Sequence, residues 1–413
     1  MKRNIFLWAL YDFANSIVII AFFLYFSQWY ITEQGIADIW YNFIFTCTAI
    51  LLLCTVPFVG KALDTGVRKL PGLRLTTVSS FVFFSLTALA GIHFPESHFV
   101  VSVLLLLGLY SYLLSFTFYT PLMAGVSSES NRGKISGIGI CANYLGQIAA
   151  VLICFPFANG TLSVFGASPC LEALLPATLA FFILALPALI FFKEAKSEGV
   201  SRSVIPKNVF SDFKALCMSN GIGFFFLSYF LFNDGILTAA NNFPIYLEQV
   251  FSVSDTAKSL ALLTILVGSA IGAPVFGYLA DKHGHKRILN IMLWAMLAVF
   301  IVLSRANLAF VFIGVGFMGF AFGGLWAVSR SIVSHLSPKN MLNSAFAYCG
   351  LVERVSTLIG PLVWGGIATG MVWMGPGRYR VATLAMAVFI FLGILALRRV
   401  PKDARTQNES STA

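Results

Sequence analysis

The chain has 413 residues, 58% of them hydrophobic and only 11% charged, with 41 Phe. A water-soluble protein of this length could not cover its surface with so few charges, which excludes an ordinary globular enzyme or binding domain. The formal net charge of +10 raises the question of nucleic acid, and the placement of the basic residues answers it.

Apolar runs recur along the chain, each long enough to cross a hydrocarbon core of roughly 30 Å as a helix. They predict twelve spans, at 5–30, 39–60, 74–94, 98–124, 134–157, 173–192, 216–247, 258–279, 286–304, 307–329, 343–367 and 380–400. The first run, behind MKRNIF, is too long for a signal peptide and lacks a small-residue cleavage site, so it reads as a retained helix. With the N-terminus inside, 22 Lys and Arg fall on the cytoplasmic side and 4 outside. That bias puts both termini in the cytoplasm. The basic balance therefore records topology and contact with anionic lipid, and no nucleic-acid partner is expected.

In chain order, the first span carries LWALYDFANS, in which Asp12, Asn15 and Ser16 share one helix face by their i+3 and i+4 spacing. An ionised side chain at the bilayer centre costs roughly 2.5–3.5 kcal/mol, so each one needs a reason. The second span closes with PFVGKALD, residues 57–64, and the eighth with PVFGYLAD, residues 274–281; Pro-x-x-Gly-x-x-x-Asp thus recurs. In the fifth span Ser136, Asn143 and Gln147 form a second polar stripe, read either as substrate contacts or as interhelical hydrogen bonding. The longest connection, 193–214, separates six spans from six, giving an N-terminal bundle 1–192, a linker 193–214, a C-terminal bundle 215–400 and a tail 401–413. The seventh span carries Asp234, Thr238 and Asn241 on one stripe, and its Asn233-Asp234 echoes Tyr11-Asp12. Trp326 in the tenth span reads as a cavity wall or a lipid-facing anchor. In the eleventh, Glu353 and Arg354 point about 100° apart, and Arg354 lies at a depth that predicts a pair with Asp234 in one conformation, changed by protonation or substrate.

Parallel six-helix repeats are a transporter architecture, with the substrate site between the halves near the midplane. No phosphate-binding loop is present, which speaks against ATP hydrolysis. The seven Cys lack metal-ligand spacing and read as small buried hydrophobes, and no metal or cofactor is expected. The five His make no ligand pattern within a span, and His283 and His285 read as solvated or lipid-facing.

The second repeated loop, Gly277-Tyr-Leu-Ala-Asp281-Lys282-His-Gly284-His-Lys286-Arg287, resembles the signature loop of the major facilitator superfamily. The first copy, running from Gly60 through Asp64 and Gly66 to Arg68 and Lys69, is similar but one residue shorter between Asp and Gly. Tyr11–Ser16, Arg132–Gly137 with Tyr144-Leu-Gly146, Asn233-Asp-Gly235, Gly323-Gly324 with Ser329-Arg330, and Gly360-Pro361 are similar to the vacuole-effluxer-like family of autophagy-related amino-acid exporters. Family members commonly carry Gln at the place of Trp326 and Lys at the place of Arg354. The resemblance implies an all-α membrane protein, with twelve transmembrane helices in two six-helix bundles, whose first and fourth helices line a cavity. It also implies that the Asp64 and Asp281 loops act as conformational latches on the cytoplasmic side, the second with Lys282, Gly284 and Arg287.

The expected function is secondary active transport of a small polar solute by alternating access, most readily an amino acid, with protons as the first choice of coupling ion and sodium coupling or simple facilitated exchange as alternatives. Sugar, nucleoside or organic-cation transport are the alternatives, and a membrane-embedded enzyme or a sensor without flux are the remote ones. Asp12, Asn15, Asp234, Thr238, Asn241, Glu353 and Arg354 are the substrate or proton candidates; Asn143, Gln147 and Trp326 are cavity candidates. The protein is expected to act as a monomer in a bacterial inner membrane, with the lipid bilayer and the solute as its partners.

Overall fold

Long apolar segments in hydrocarbon must satisfy their backbone polar groups internally, and helices do so within each segment. The computed structural model describes residues 2–36, 38–194, 209–305 and 307–401. Among these, twelve helices are long and apolar enough to cross a membrane. They are α1 (Lys2–Glu33), α2 (Phe43–Asp64), α3 (Lys69–His93), α4 (His98–Val126), α5 (Arg132–Ala158), α6 (Pro169–Phe191), α7 (Ile222–Phe251), α8 (Leu260–His283), α9 (His285–Leu303), α10 (Leu308–Leu336), α11 (Lys339–Gly370) and α12 (Gly377–Arg398). All twelve predicted spans are present, with ends that move by a few residues.

By contacts the chain divides into two units, Met1–Val126 with Ala142–Lys207 and Ser127–Cys141 with Asn208–Ala413. Helix α5 is divided between them, its first turns belonging to the second unit and its remainder to the first. The predicted linker, 193–214, falls largely on 195–208, outside the described residues, as do the basic residues Lys196, Arg202 and Lys207. Its end, 209–214, is not a loop but part of a separate helix, Val209–Met218. That helix stops before Asn220 and Gly221, at φ 43° and 72°, a left-handed turn that glycine adopts without strain. The tail beyond Pro401, with Lys402 and Arg405, also lies outside the described residues.

Packing within each unit follows small residues. Gly268 and Gly272 of α8 face Gly319 and Phe320 of α10, and Gly323 faces the Ser269 carbonyl, so a Cβ at any of these glycines would strike backbone. Ser269 Oγ donates to Gly319 O at 2.9 Å across the same crossing. Close approach of this kind replaces the hydrophobic driving force that lipid removes. In α7, Gly235 lies against Met386 and Phe389 of α12, and Ser228 Oγ donates to Gly393 O at 2.7 Å. These contacts set the rotation of α7 and turn the neighbouring Asn233 and Asp234 toward α11.

Candidate functional site

Helix α1 enters its unit by aromatic stacking. Trp8 and Tyr11 lie on Tyr119 of α4, with ring centroids 5.2 and 5.0 Å apart, and the Tyr11 hydroxyl meets Thr77 Oγ1 of α3 at 2.7 Å. One residue further, Asp12 is fully buried and turns to α5. Asn143 Nδ2 donates to Asp12 Oδ1 at 3.0 Å, and Gln147 Nε2 donates to Asn143 Oδ1 at 2.8 Å. Gly146 permits this approach, because a Cβ there would strike the Phe13 carbonyl. Two stripes that the sequence presents separately thus join in one hydrogen-bonded chain inside the first unit. Ser136 does not join it. Asn15 is fully buried, and neither of its amide atoms has a partner among the described residues. With α1 beginning at Lys2, Asp12 lies about 15 Å along its helix, and Asp234 lies about 18 Å along α7.

The second unit departs further from expectation, because α11 is not one continuous helix. It runs as Leu342–Val355, breaks over 356–358, and resumes as Ile359–Gly370. A break inside a span leaves carbonyls of the first piece and N–H groups of the second without helical partners. Asn233 and Asp234 of α7 take up one of each. Asn233 Nδ2 donates to Ser356 Oγ at 2.6 Å and to Glu353 O at 3.4 Å, while Ser356 Oγ itself donates to Glu353 O at 2.7 Å. Asp234 Oδ2 accepts the Gly360 N–H at 2.8 Å, and Thr238 Oγ1 donates to Asp234 Oδ1 at 3.4 Å. The predicted Asp234–Arg354 pair is therefore not formed here: the resumed helix presents backbone donors to the carboxylate, and a carboxylate is favoured at a helix N-terminus. Arg354 ends the first piece of α11 half-buried, its carbonyl accepting from Thr357 Oγ1 at 3.0 Å. The Tyr229 hydroxyl donates to Glu353 Oε2 at 3.0 Å. Asn241 is exposed and apart from the Asp234–Thr238 pair, whereas its neighbour Asn242 donates to Thr238 O at 2.8 Å. Trp326 is half-buried against Phe322, with ring centroids 4.3 Å apart.

The repeated loops differ from one another. In the second copy, Asp281 Oδ1 and Oδ2 accept the N–H groups of Gly133 and Lys134, each at 2.7 Å, at the start of α5. Gly277 and Gly133 face each other so closely that a Cβ on either would strike the other's carbonyl. Gly284, at φ 91°, separates α8 from α9, and Lys282 and Arg287 are exposed. In the first copy Gly60 is buried, Asp64 ends α2, and Arg68 turns to Glu194 just beyond α6. Glu194 accepts from Lys69 N at 2.9 Å and Leu70 N at 3.2 Å, and lies 3.9 Å from Arg68 Nε and 3.8 Å from Lys69 Nζ. Each loop thus involves a carboxylate at a helix N-terminus, but in the first copy it is supplied by Glu194, which the sequence reading overlooked. His285 corrects another expectation. It is buried, not solvated, with Nε2 3.3 Å from Asp281 Oδ1 and its ring centroid 4.4 Å from that of His335; the turn at Gly284 folds it under α10.

Sequence reasoning also missed Asn233, Tyr229, Ser356 and Gly360 as members of one cluster. A signal existed: Ser356-Thr357 followed by Gly360-Pro361 inside an apolar run is helix-stop and helix-start chemistry, and proline supplies no N–H.

Among the described residues, twelve candidate spanning helices fall in two units, and α1 and α7 each carry a buried carboxylate, Asp12 and Asp234. A family model, Major Facilitator Superfamily, matches residues 225–413. The chain is 24% identical over 429 residues to the MFS-type transporter YxiO of Bacillus subtilis (strain 168), covering 97% of this chain and 95% of that one. It is 22% identical over 174 residues to autophagy-related protein 22 of Vanderwaltozyma polyspora, 38% of this chain and 33% of that one. In fold it is similar to the human organic anion transporter MFSD10 (TETRAN), with a TM-score of 0.77 at 15% identity, covering 96% of this chain and 99% of that one. The chain thus matches the major facilitator superfamily model over the C-terminal 225–413 and is similar in sequence to an MFS-type transporter and to autophagy-related protein 22, the vacuole-effluxer-like kind. These relatives are membrane transporters and not enzymes, and among the described residues this chain has twelve helices long and apolar enough to cross a membrane.

Proposed function

We propose that the protein is a proton-coupled secondary transporter of a small zwitterionic solute, an amino acid or a related metabolite, working by alternating access. The observation that carries this reading is Asp234, a fully buried carboxylate in the middle of α7 whose hydrogen bonds come from the neutral Gly360 N–H and Thr238 hydroxyl. A permanent anion at such a position costs roughly 2.5–3.5 kcal/mol, and a proton removes the cost. Intramembrane carboxylates of this kind mark proton relays and solute paths. Asp12 and Asn15 supply an anion and an uncommitted amide for a substrate ammonium, and Arg354 supplies a cation for a substrate carboxylate.

The remaining parts follow from the same reading. The bundles 1–192 and 215–400 are the moving bodies, and the Gly60–Arg68 and Gly277–Arg287 loops are conformational latches. The basic residues, 22 against 4, support cytoplasmic termini in a bacterial inner membrane. One chain supplies both bundles, which favours a working monomer.

The test is a thermal-shift panel of amino acids, sugars, nucleosides and organic cations on purified protein, followed by counterflow of the hits in liposomes with and without a pH gradient. An amino-acid hit is expected, with net uptake stimulated by the gradient in wild type. In Asp234→Asn the stimulation is expected to vanish while counterflow persists. Hits confined to sugars or cations, or flux indifferent to the gradient, overturn the corresponding part of the proposal.

A further inference from the structure

The break in α11 is served by two consecutive residues of α7 with opposite chemistry. Asn233, a donor, reaches the carbonyl end of Leu342–Val355 directly and through Ser356; Asp234, an acceptor, reaches the N–H end of Ile359–Gly370. An ionised acid at 233 would have no donor for the carbonyl end, so the order matters as well as the pair. The site admits no spare volume. A Cβ at Gly360 would lie 2.5 Å from Asp234 Oδ1 and would also strike Thr238 Oγ1. All three groups, Asn233, Asp234 and Ser356, are buried.

We propose that Asn233 and Asp234 form a two-ended clamp on the broken helix, in which Asn233 is a positioning residue that holds the Gly360 N–H on the Asp234 carboxylate, and that protonation of Asp234 opens the clamp. The inference rests on the proposed proton coupling at Asp234 and adds its mechanical consequence. When the carboxylate is ionised, the N-terminal end of Ile359–Gly370 is held by a charge-assisted bond. Adding a proton to one carboxyl oxygen turns that oxygen into a donor and weakens the hold on Gly360. Asn233 keeps its bonds to Ser356 and Glu353 in both forms, so the first piece of α11 stays fixed and the joint at 356–358 is where motion concentrates. Facing the cluster are Tyr229 of α7 and Glu353 of α11, with Arg354 on the next position of α11 and Arg330 of α10 in electrostatic reach of Tyr229.

The experiment is amide hydrogen exchange of the full-length protein in lipid nanodiscs between pH 5 and 9, corrected for intrinsic rates, with the proton as the only ligand. The amides of 356–360 report on the joint, since Pro361 carries none. In wild type, protection there is expected to fall about tenfold as pH drops through the Asp234 titration, the loss of one hydrogen bond to a charged group. Asp234→Asn is expected to show low protection with no pH dependence. Asn233→Ala is expected to move the midpoint to higher pH, because the carboxylate loses its aligned donor; Ser356→Ala should do the same, and the double variant should add nothing further. The Ser356 variant keeps the test alive if Asn233→Ala fails to fold. Flat exchange in wild type, or a midpoint unmoved by both substitutions, overturns the clamp. If instead the pH-dependent opening is seen but a pH gradient drives no flux, the clamp stands and the coupling reading falls.

Discussion

Asp12 and Asp234 are near-equivalents in sequence, one on the first helix of each half, yet their surroundings assign them different work. Asp12 ends a chain of side-chain amides, Gln147 to Asn143 to carboxylate, and its proposed role in holding a polar solute rests on that arrangement. Asp234 is bonded to the backbone of a neighbouring helix and so controls its geometry. Gly360 is the residue that makes this contact possible, and it gives the sharpest prediction at this scale. Gly360→Val should destabilise by about 1–3 kcal/mol through overpacking against Asp234 and Thr238, seen as a lower Tm in a thermal-shift assay. Gly365→Val, which has open space around it, is the control and should leave Tm unchanged.

Between elements, the recurring device is a carboxylate at a helix N-terminus: Asp234 at Ile359–Gly370, Asp281 at α5 and Glu194 at α3. Each places an anion where unpaired N–H groups and the helix dipole converge. The repeat of Pro-x-x-Gly-x-x-x-Asp was visible in the sequence, but its two copies differ in use, because Arg68 of the first turns to Glu194. Asp281→Asn should remove one charge-assisted acceptor and destabilise the α5 start by about 1–3 kcal/mol, lowering Tm. In liposomes it should slow counterflow of a hit from the solute panel while leaving that solute's thermal-shift affinity largely intact. A large loss of affinity with an unchanged rate would contradict the latch role. The discontinuity of α11 was the element least legible beforehand, since hydropathy averages over a three-residue interruption and leaves one long apolar run.

For the whole molecule, the positive-inside count yields a prediction independent of the site. In a cysteine-free background, Val164→Cys, on the exposed connection between α5 and α6, should react with an impermeant maleimide on intact cells. Met218→Cys, exposed at the end of the short helix before α7, should react only after the membrane is opened. The reverse pattern would invert the topology. Span number and polar stripes could be read from one sequence because they are local: twenty apolar residues make a spanning helix whatever lies beside them, and i+3 and i+4 spacing puts Asp12 with Asn15, or Asp234 with Thr238, on one face in any helix. Partners are not local. That Asp234 would choose the Gly360 N–H over Arg354, that His285 would be buried beside Asp281, and that Asn143 would reach Asp12 depend on helix rotation and on where a helix breaks. Those are set by glycine contacts such as Gly235 on α12 and Gly146 on α1, between segments far apart in the chain, and only the tertiary structure decides them.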